Sequence, residues 1–159
     1  VVGVSSEIAQ HFDSNTLWCG LTGYAHPLSC AAAVAAIEVY EADGLMAASK
    51  ARGVLMLDLL KALKKDCPVI GDVRGLGLFG TIEFVQDPVE KTPMSIYGRT
   101  PEKGSFMPRL AEALRKRHVH AASKWTHLFL APPLCISETE MREGIELIKS
   151  AIEEASECL

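Results

Sequence analysis

The sequence predicts an α/β fold: a small, mostly antiparallel sheet with helices on one face, joined to a helix from a second body. Three observations carry that expectation. After Gly44 the elements run helix, short strand, strand, loop, helix, strand, strand, helix, an order that suits one sheet covered on one side. The long helical segments show apolar residues at helical spacing. The stretch before Gly44 is mostly one helix and a loop, too little for a core of its own. The boundary is therefore placed at Gly44, dividing residues 1–44 from residues 45–159.

Taken in order, Ser5 to Phe12 reads as a short helix capped by Ser5 or Ser6, with Ile8, Ala9 and Phe12 on one side. Asp13 to Thr16 reads as a turn, and Leu17 to Ala25 as irregular chain. Pro27 suits a first helical position because its missing N–H is no loss there. The helix it opens is small-residue rich from Ala31 to Ala36 and stops near Asp43-Gly44, where glycine takes a left-handed cap. Alanines form no thick apolar face, so close approach to a larger body is expected.

Leu45 to Lys65 reads as a second long helix with Leu55, Leu59, Leu60 and Leu63 inward. Lys61, Lys64 and Lys65 suit the negative end of its dipole, and Asp66-Cys67-Pro68 ends it. Val69 to Gly71 is a short extended piece, and Leu76 to Val85 one strand, its glycines allowing a bulge. Asp87 to Lys103 is a long loop. Phe106 to Arg117 is a helix with Leu110, Ala113 and Leu114 inward. Strands are expected at Val119–Ala122 and His127–Leu130, the latter ended by Pro132-Pro133. Ser137-Glu138-Thr139-Glu140 is a capping box. It opens a final helix striped by Met141, Ile145, Ile148 and Ile152.

Composition narrows the function classes. A formal net charge of −4 gives no reason to expect nucleic acid or an anionic membrane as partner. No apolar run is long enough to span a bilayer as a helix. Five cysteines without CxxC or zinc spacing read as reduced thiols of a cytoplasmic protein. The chain opens on Val1-Val2-Gly3-Val4, like a strand already under way, so a fragment or processed product is expected.

Few residues offer chemistry. Gly20-Leu21-Thr22-Gly23 places backbone N–H groups and a hydroxyl before a helix start. That arrangement can hold a phosphate or simply make a tight turn; it is not a P-loop. His26 is either a reactive group or a loop anchor. Arg74 either points into a cleft to meet a carboxylate or is fixed by Asp72 or Glu83. Lys124-Trp125 lies in a polar turn, at a pocket mouth or plain surface. Glu138, Glu140, Glu143 and Glu146 read as a solvated helix face. His118, His120 and His127 lack metal-site spacing, so no metal is expected.

Three segments together resemble the class III aminotransferases, fold-type I enzymes that use pyridoxal 5′-phosphate (PLP). They are Gly20-Leu-Thr-Gly-Tyr-Ala-His-Pro-Leu-Ser-Cys-Ala-Ala-Ala33, Gly71-Asp-Val-Arg-Gly-Leu-Gly-Leu78 with Gly80-Thr-Ile-Glu83, and Ala131-Pro-Pro-Leu134 with Ile136-Ser-Glu138. Their order and spacing match across essentially the whole chain. The resemblance implies a homodimer with a shared active site, in which Thr22, with Leu21, meets the phosphate of the neighbouring subunit's cofactor. It implies that Lys124, Trp125 and Arg74 are the substrate-binding candidates, with Lys124 and Trp125 at the substrate end and Arg74 first holding the small domain near the cleft. Where several members carry a carboxylate-binding arginine, this chain has Phe129, preceded by Leu128. That leans toward the omega-amino-acid or taurine-like branch. Gly23 and Ala25 depart from the family's usual tyrosine and glycine.

The family's Schiff-base lysine is expected upstream of the position matching Val1, so no catalytic residue is assigned here and the chain alone is expected to be inactive. The whole protein is expected to pass an amino group from a donor to a 2-oxo acid. Alternatives are another fold-type I PLP reaction, such as an aminomutase or decarboxylase, or an α/β interaction domain without cofactor.

Overall fold

The structure, a computed structural model, describes residues 2–20 and 22–157. The chain forms two compact units, Val1–Gly44 and Leu45–Leu159.

In the first unit, α1 spans Ser6–Ser14 and α2 spans Pro27–Ala42. Ser5 caps α1 by accepting a hydrogen bond from the Ile8 N–H. The helix runs two residues past Phe12, and Asn15 closes it by donating to the His11 carbonyl at 2.8 Å. Pro27 sits in the first turn of α2, and Gly44 follows its end at φ +58°. Neither helix buries a residue. Val34, Ile37, Val39 and Tyr40 of α2 are all exposed. A helix apolar on every side is the pattern of one that belongs in an interior.

The second unit holds the core. Its elements are α3 (Leu45–Asp66), β1 (Ile70–Leu76), β2 (Phe79–Asp87), β3 (Thr92–Pro93), α4 (Phe106–Lys116), β4 (Ala122–Lys124), β5 (His127–Leu130) and α5 (Glu138–Ser156). The sheet order is β1-β2-β5-β4, antiparallel throughout, with β3 pairing the far end of β2. Ile82, Phe84, Leu128 and Leu130 are buried, while Thr81, Glu83, His127 and Phe129 between them are only partly so. This alternation of faces points one side of the sheet at the helices. Helix α3 packs on β1 and β2, α5 on α3, and α4 on α5. Phe84 and Phe106 meet ring to ring at 5.0 Å between β2 and α4.

Met141, Ile145, Ile148 and Ile152 of α5 are all buried. Each contributes about 1.5–3 kcal/mol. Both halves of its capping box form: Glu140 N–H donates to Ser137 Oγ at 3.2 Å, and Ser137 N–H to Glu140 Oε2 at 2.8 Å. The Ser137 hydroxyl, which donates to Glu140 Oε2 at 2.7 Å, and then the Ser137 N–H hold the Glu140 carboxyl below the ordinary Glu value. Arg117, after α4, ties that helix to α5 through Glu154 at 2.7 Å and Ser150 Oγ at 2.9 Å.

Four expectations need correction. The strand expected over Leu76–Val85 is the turn and second arm of a hairpin. Gly77, at φ +55°, is the first residue of a two-residue loop between β1 and β2, the place where a II′ turn requires glycine. Leu78 beside it plugs the core at 5% exposure. The inward stripe of α3 is Gly53, Met56, Leu60 and Leu63. Spacings of three and four put Met56 on that line, leaving Leu55 half-buried beside it. The strand expected at Val119–Ala122 lies later, at Ala122–Lys124. Val119 and Ala121 pack against the core, whereas the tight Trp125-Thr126 turn pairs Lys124 with His127 and sets the register. The long loop is partly ordered: Asp87 Oδ1 accepts from the Glu90 and Val89 N–H groups, at 3.0 and 2.7 Å. These two bonds hold its carboxyl below the ordinary Asp value. The chain then returns along β2 as β3.

Candidate functional site

The glycine loop before α2 is exposed, and Leu21 lies outside the described residues. Thr22 to Ala25 form a turn that the His26 N–H closes by donating to the Gly23 carbonyl at 3.3 Å. His26 is the N-cap residue of α2, yet its side chain makes no capping hydrogen bond. Pro27 has no N–H to offer, and the Cys30 N–H already donates to the His26 carbonyl. The first N–H groups of the helix without a partner among the described residues therefore belong to Leu28 and Ser29. Uncapped N–H groups at the positive end of a helix are suited to an anion. His26 itself is exposed.

Arg74 and Lys124 share the sheet face turned away from the helices, but at opposite edges. Arg74 is in β1 and Lys124 in β4, three strand spacings or about 14 Å apart. Arg74 is already engaged: its Nη2 donates to Glu83 Oε2 at 2.8 Å and its Nε lies 3.3 Å from Asp72 Oδ2. Of the two sequence readings for Arg74, this geometry is that of the fixed salt bridge. Such an exposed network adds little stability, but it neutralises the guanidinium.

Lys124 is exposed and, among the described residues, has no carboxylate partner. Its Nζ lies 4.5 Å from the Trp125 ring centroid. Trp125 meets Tyr97 at 4.1 Å between ring centroids, so an ammonium and two aromatic rings converge at the β4–β5 turn. Between the two edges His127 Nε2 stands 3.9 Å from Glu83 Oε2. Phe79, Phe129 and His127 stack in a column, with centroids 6.3 and 6.1 Å apart. Tyr97 was not singled out from sequence, because a tyrosine inside a polar loop gives no signal of its partner. His118 and His120 line a separate, largely apolar cavity of about 400 Å³ between α5 and the Ala131–Pro133 segment.

Comparison with known proteins gives this surface a context. The sequence profile of the family described as "Aminotransferase class-III" matches residues 1–152. The chain is 29% identical over 155 residues to an (R)-1-hydroxy-2-aminoethylphosphonate ammonia-lyase of Vibrio splendidus (strain 12B01), covering 96% of this chain and 31% of that protein. It is also 29% identical to the 4-aminobutyrate aminotransferase GabT of Escherichia coli (strain K12), covering 87% and 31%. The fold superimposes with a TM-score of 0.87 on the taurine:2-oxoglutarate aminotransferase of Bifidobacterium kashiwanohense, solved with PLP and glutamate. That match is at 27% identity, covering 94% of this chain and 33% of that one. The chain thus spans about a third of the length of the relatives it matches. A profile match over nearly all its residues, together with that superposition, settles its kinship: the chain belongs to the class III aminotransferases.

Proposed function

We propose that this chain is one part of a PLP-dependent aminotransferase that moves an amino group from an omega-amino or taurine-like donor to a 2-oxo acid. The family match across residues 1–152 carries the reading. Residues 1–44 then belong to the end of the large, cofactor-binding domain. Residues 45–159 supply the interdomain helix and the small C-terminal domain. PLP, when bound, supplies an electron sink that lets an amino group leave one carbon skeleton and join another.

The residues present fit the cofactor's phosphate. The α2 start has free N–H groups and no side-chain cap, and nothing lies within 4 Å of the Cβ positions of Gly20 and Gly23. Thr22, with Leu21, would hold the phosphate there, reaching across a homodimer to the partner's cofactor. On the sheet, Lys124 and Trp125 would meet the far, anionic end of the donor. Arg74, occupied by Asp72 and Glu83, would keep that sheet face in shape rather than grip substrate. Phe129, half-buried on the same face, presents an apolar ring there instead of a cation.

The test is PLP binding to the whole protein, of which this chain is one part, comparing Thr22→Ala and Thr22→Ser with the parent. Loss of one hydroxyl–phosphate hydrogen bond, charge-assisted and worth about 1.5–3 kcal/mol, predicts a tenfold or greater loss of cofactor affinity in the alanine variant. The serine variant should keep most of it. Equal affinity in all three proteins would refute the assignment. The similarity to an ammonia-lyase supports a second reading, elimination rather than transfer. Release of free ammonia without a 2-oxo acid acceptor would favour it.

A further inference from the structure

The turn that carries Lys124 and Trp125 is held in an unusual way. Trp125 has φ +53°, a left-handed conformation that costs a bulky residue energy and persists only where its surroundings impose it. The next residue, Thr126, is the one polar or charged residue among those described that is buried, at 6% exposure. Its hydroxyl donates to the Phe84 carbonyl and accepts from the Met94 N–H at 3.2 Å. Its own carbonyl accepts from the Phe84 N–H at 2.8 Å. The Met94 N–H is shared with the Phe84 carbonyl itself, at 3.1 Å, so the Thr126 hydroxyl completes a three-way junction of β2, the segment that follows β3, and the β4–β5 turn.

Tyr97 follows Met94 by three residues, and Trp125 precedes Thr126 by one. Their ring contact spans the two segments that the Thr126 hydroxyl ties together, and Lys124 lies over the same indole. Tyr97 is 80% exposed, so little burial holds it in place. We infer that Thr126 is a positioning residue: by pinning the loop and the turn to β2, its hydroxyl sets the Lys124–Trp125–Tyr97 surface against the anionic end of the amino donor and so helps to determine donor choice. This rests on the proposed reading of Lys124 and Trp125 as the substrate end.

The test uses the PLP-loaded enzyme and four variants: Thr126→Val, which keeps shape and β-branching, Thr126→Ser, which keeps the hydroxyl, Lys124→Met and Tyr97→Leu. KM and kcat are measured with 4-aminobutyrate and with butylamine, which lacks the carboxylate. Thr126→Val should raise KM for 4-aminobutyrate about tenfold, the scale of a hydrogen bond's worth of placement. Its kcat and its KM for butylamine should stay within about twofold, the pattern of lost binding rather than lost chemistry. Thr126→Ser should restore the KM for 4-aminobutyrate, and Lys124→Met and Tyr97→Leu should each raise it alone.

An unchanged KM in Lys124→Met would overturn the reading of the site and the inference with it. A raised KM in Lys124→Met with none in Thr126→Val would overturn the positioning role while the site stands. Equal losses for both donors in Thr126→Val would reduce Thr126 to a structural residue. If Thr126→Val does not fold, Tyr97→Leu, at an exposed position, decides: an unchanged KM for 4-aminobutyrate overturns the inference.

Discussion

Replacing Gly53 by alanine separates helix propensity from close packing within one fold. Gly53 lies in α3, where alanine is the better helix former by about 1 kcal/mol. An added Cβ, however, would fall 2.3 Å from the Gly77 carbonyl oxygen, 2.4 Å from its carbon and 2.5 Å from its Cα. Nonbonded atoms rest at about 3.5 Å, so the turn and the helix must part by roughly 1 Å. No flexible side chain can give way, because every atom in the path is backbone. Gly77 is itself fixed at φ +55° by the hairpin it closes. Overpacking of this kind costs about 1–3 kcal/mol, and moving backbone belongs at the upper end, so the clash outweighs the gain. A net loss of about 1–2 kcal/mol is expected. Gly144 in α5 is the control, with nothing within 4 Å of its Cβ position. Gly144→Ala should stabilise by up to about 1 kcal/mol. Urea unfolding followed by circular dichroism gives both values. A Gly53→Ala protein as stable as the parent would refute the backbone contact between α3 and the hairpin.

Other perturbations follow the same logic. Leu60, fully buried between α3 and the sheet, should cost about 2–5 kcal/mol as alanine in the same urea assay. Glu154 is held below the ordinary 4.5 by Arg117 and then Lys116. Its contribution is full above that value and lost as pH falls through the depressed one, so Glu154→Gln should lose stability at neutral pH and converge with the parent in acid. Melts across that range check it, and parallel curves would contradict it. Burial, aided by the nearby Glu153 charge, pushes the Cys67 thiol up, whereas Cys135 is exposed. Cys135 should react with a thiol reagent in the native protein and Cys67 only on unfolding, as mass spectrometry of the labelled peptides would report.

The helices were legible in the sequence wherever a cap and a stripe agreed. Ser137 and Glu140 announced the start of α5, and its four apolar residues are all buried. Pro27 likewise marked the start of α2. The β1–β2 hairpin was hidden because its turn is Gly77-Leu78 and the leucine is a core residue, so the apolar pattern runs through the bend unbroken. The β4 register was missed because the residues that look strand-like, Val119 and Ala121, pack on the core without a ladder. At the site, the local sequence shows that Lys124 and Trp125 are adjacent. It cannot show that Tyr97 comes to stack on the indole, or that Thr126 turns inward to bond Phe84 and Met94. Those contacts join residues far apart in sequence and depend on the sheet being formed. The pairing of Arg74 with Glu83 is of the same kind, set by the hairpin that brings β1 beside β2.

The central proposal, that the protein of which this chain is one part carries out PLP-dependent amino transfer, is tested most directly by incubating that whole protein, loaded with PLP, with an omega-amino donor and 2-oxoglutarate and following the nitrogen. Glutamate is expected to form in step with loss of the donor's amino group, and neither without PLP. Donor consumption that releases ammonia with no glutamate, or turnover that does not need PLP, would contradict it.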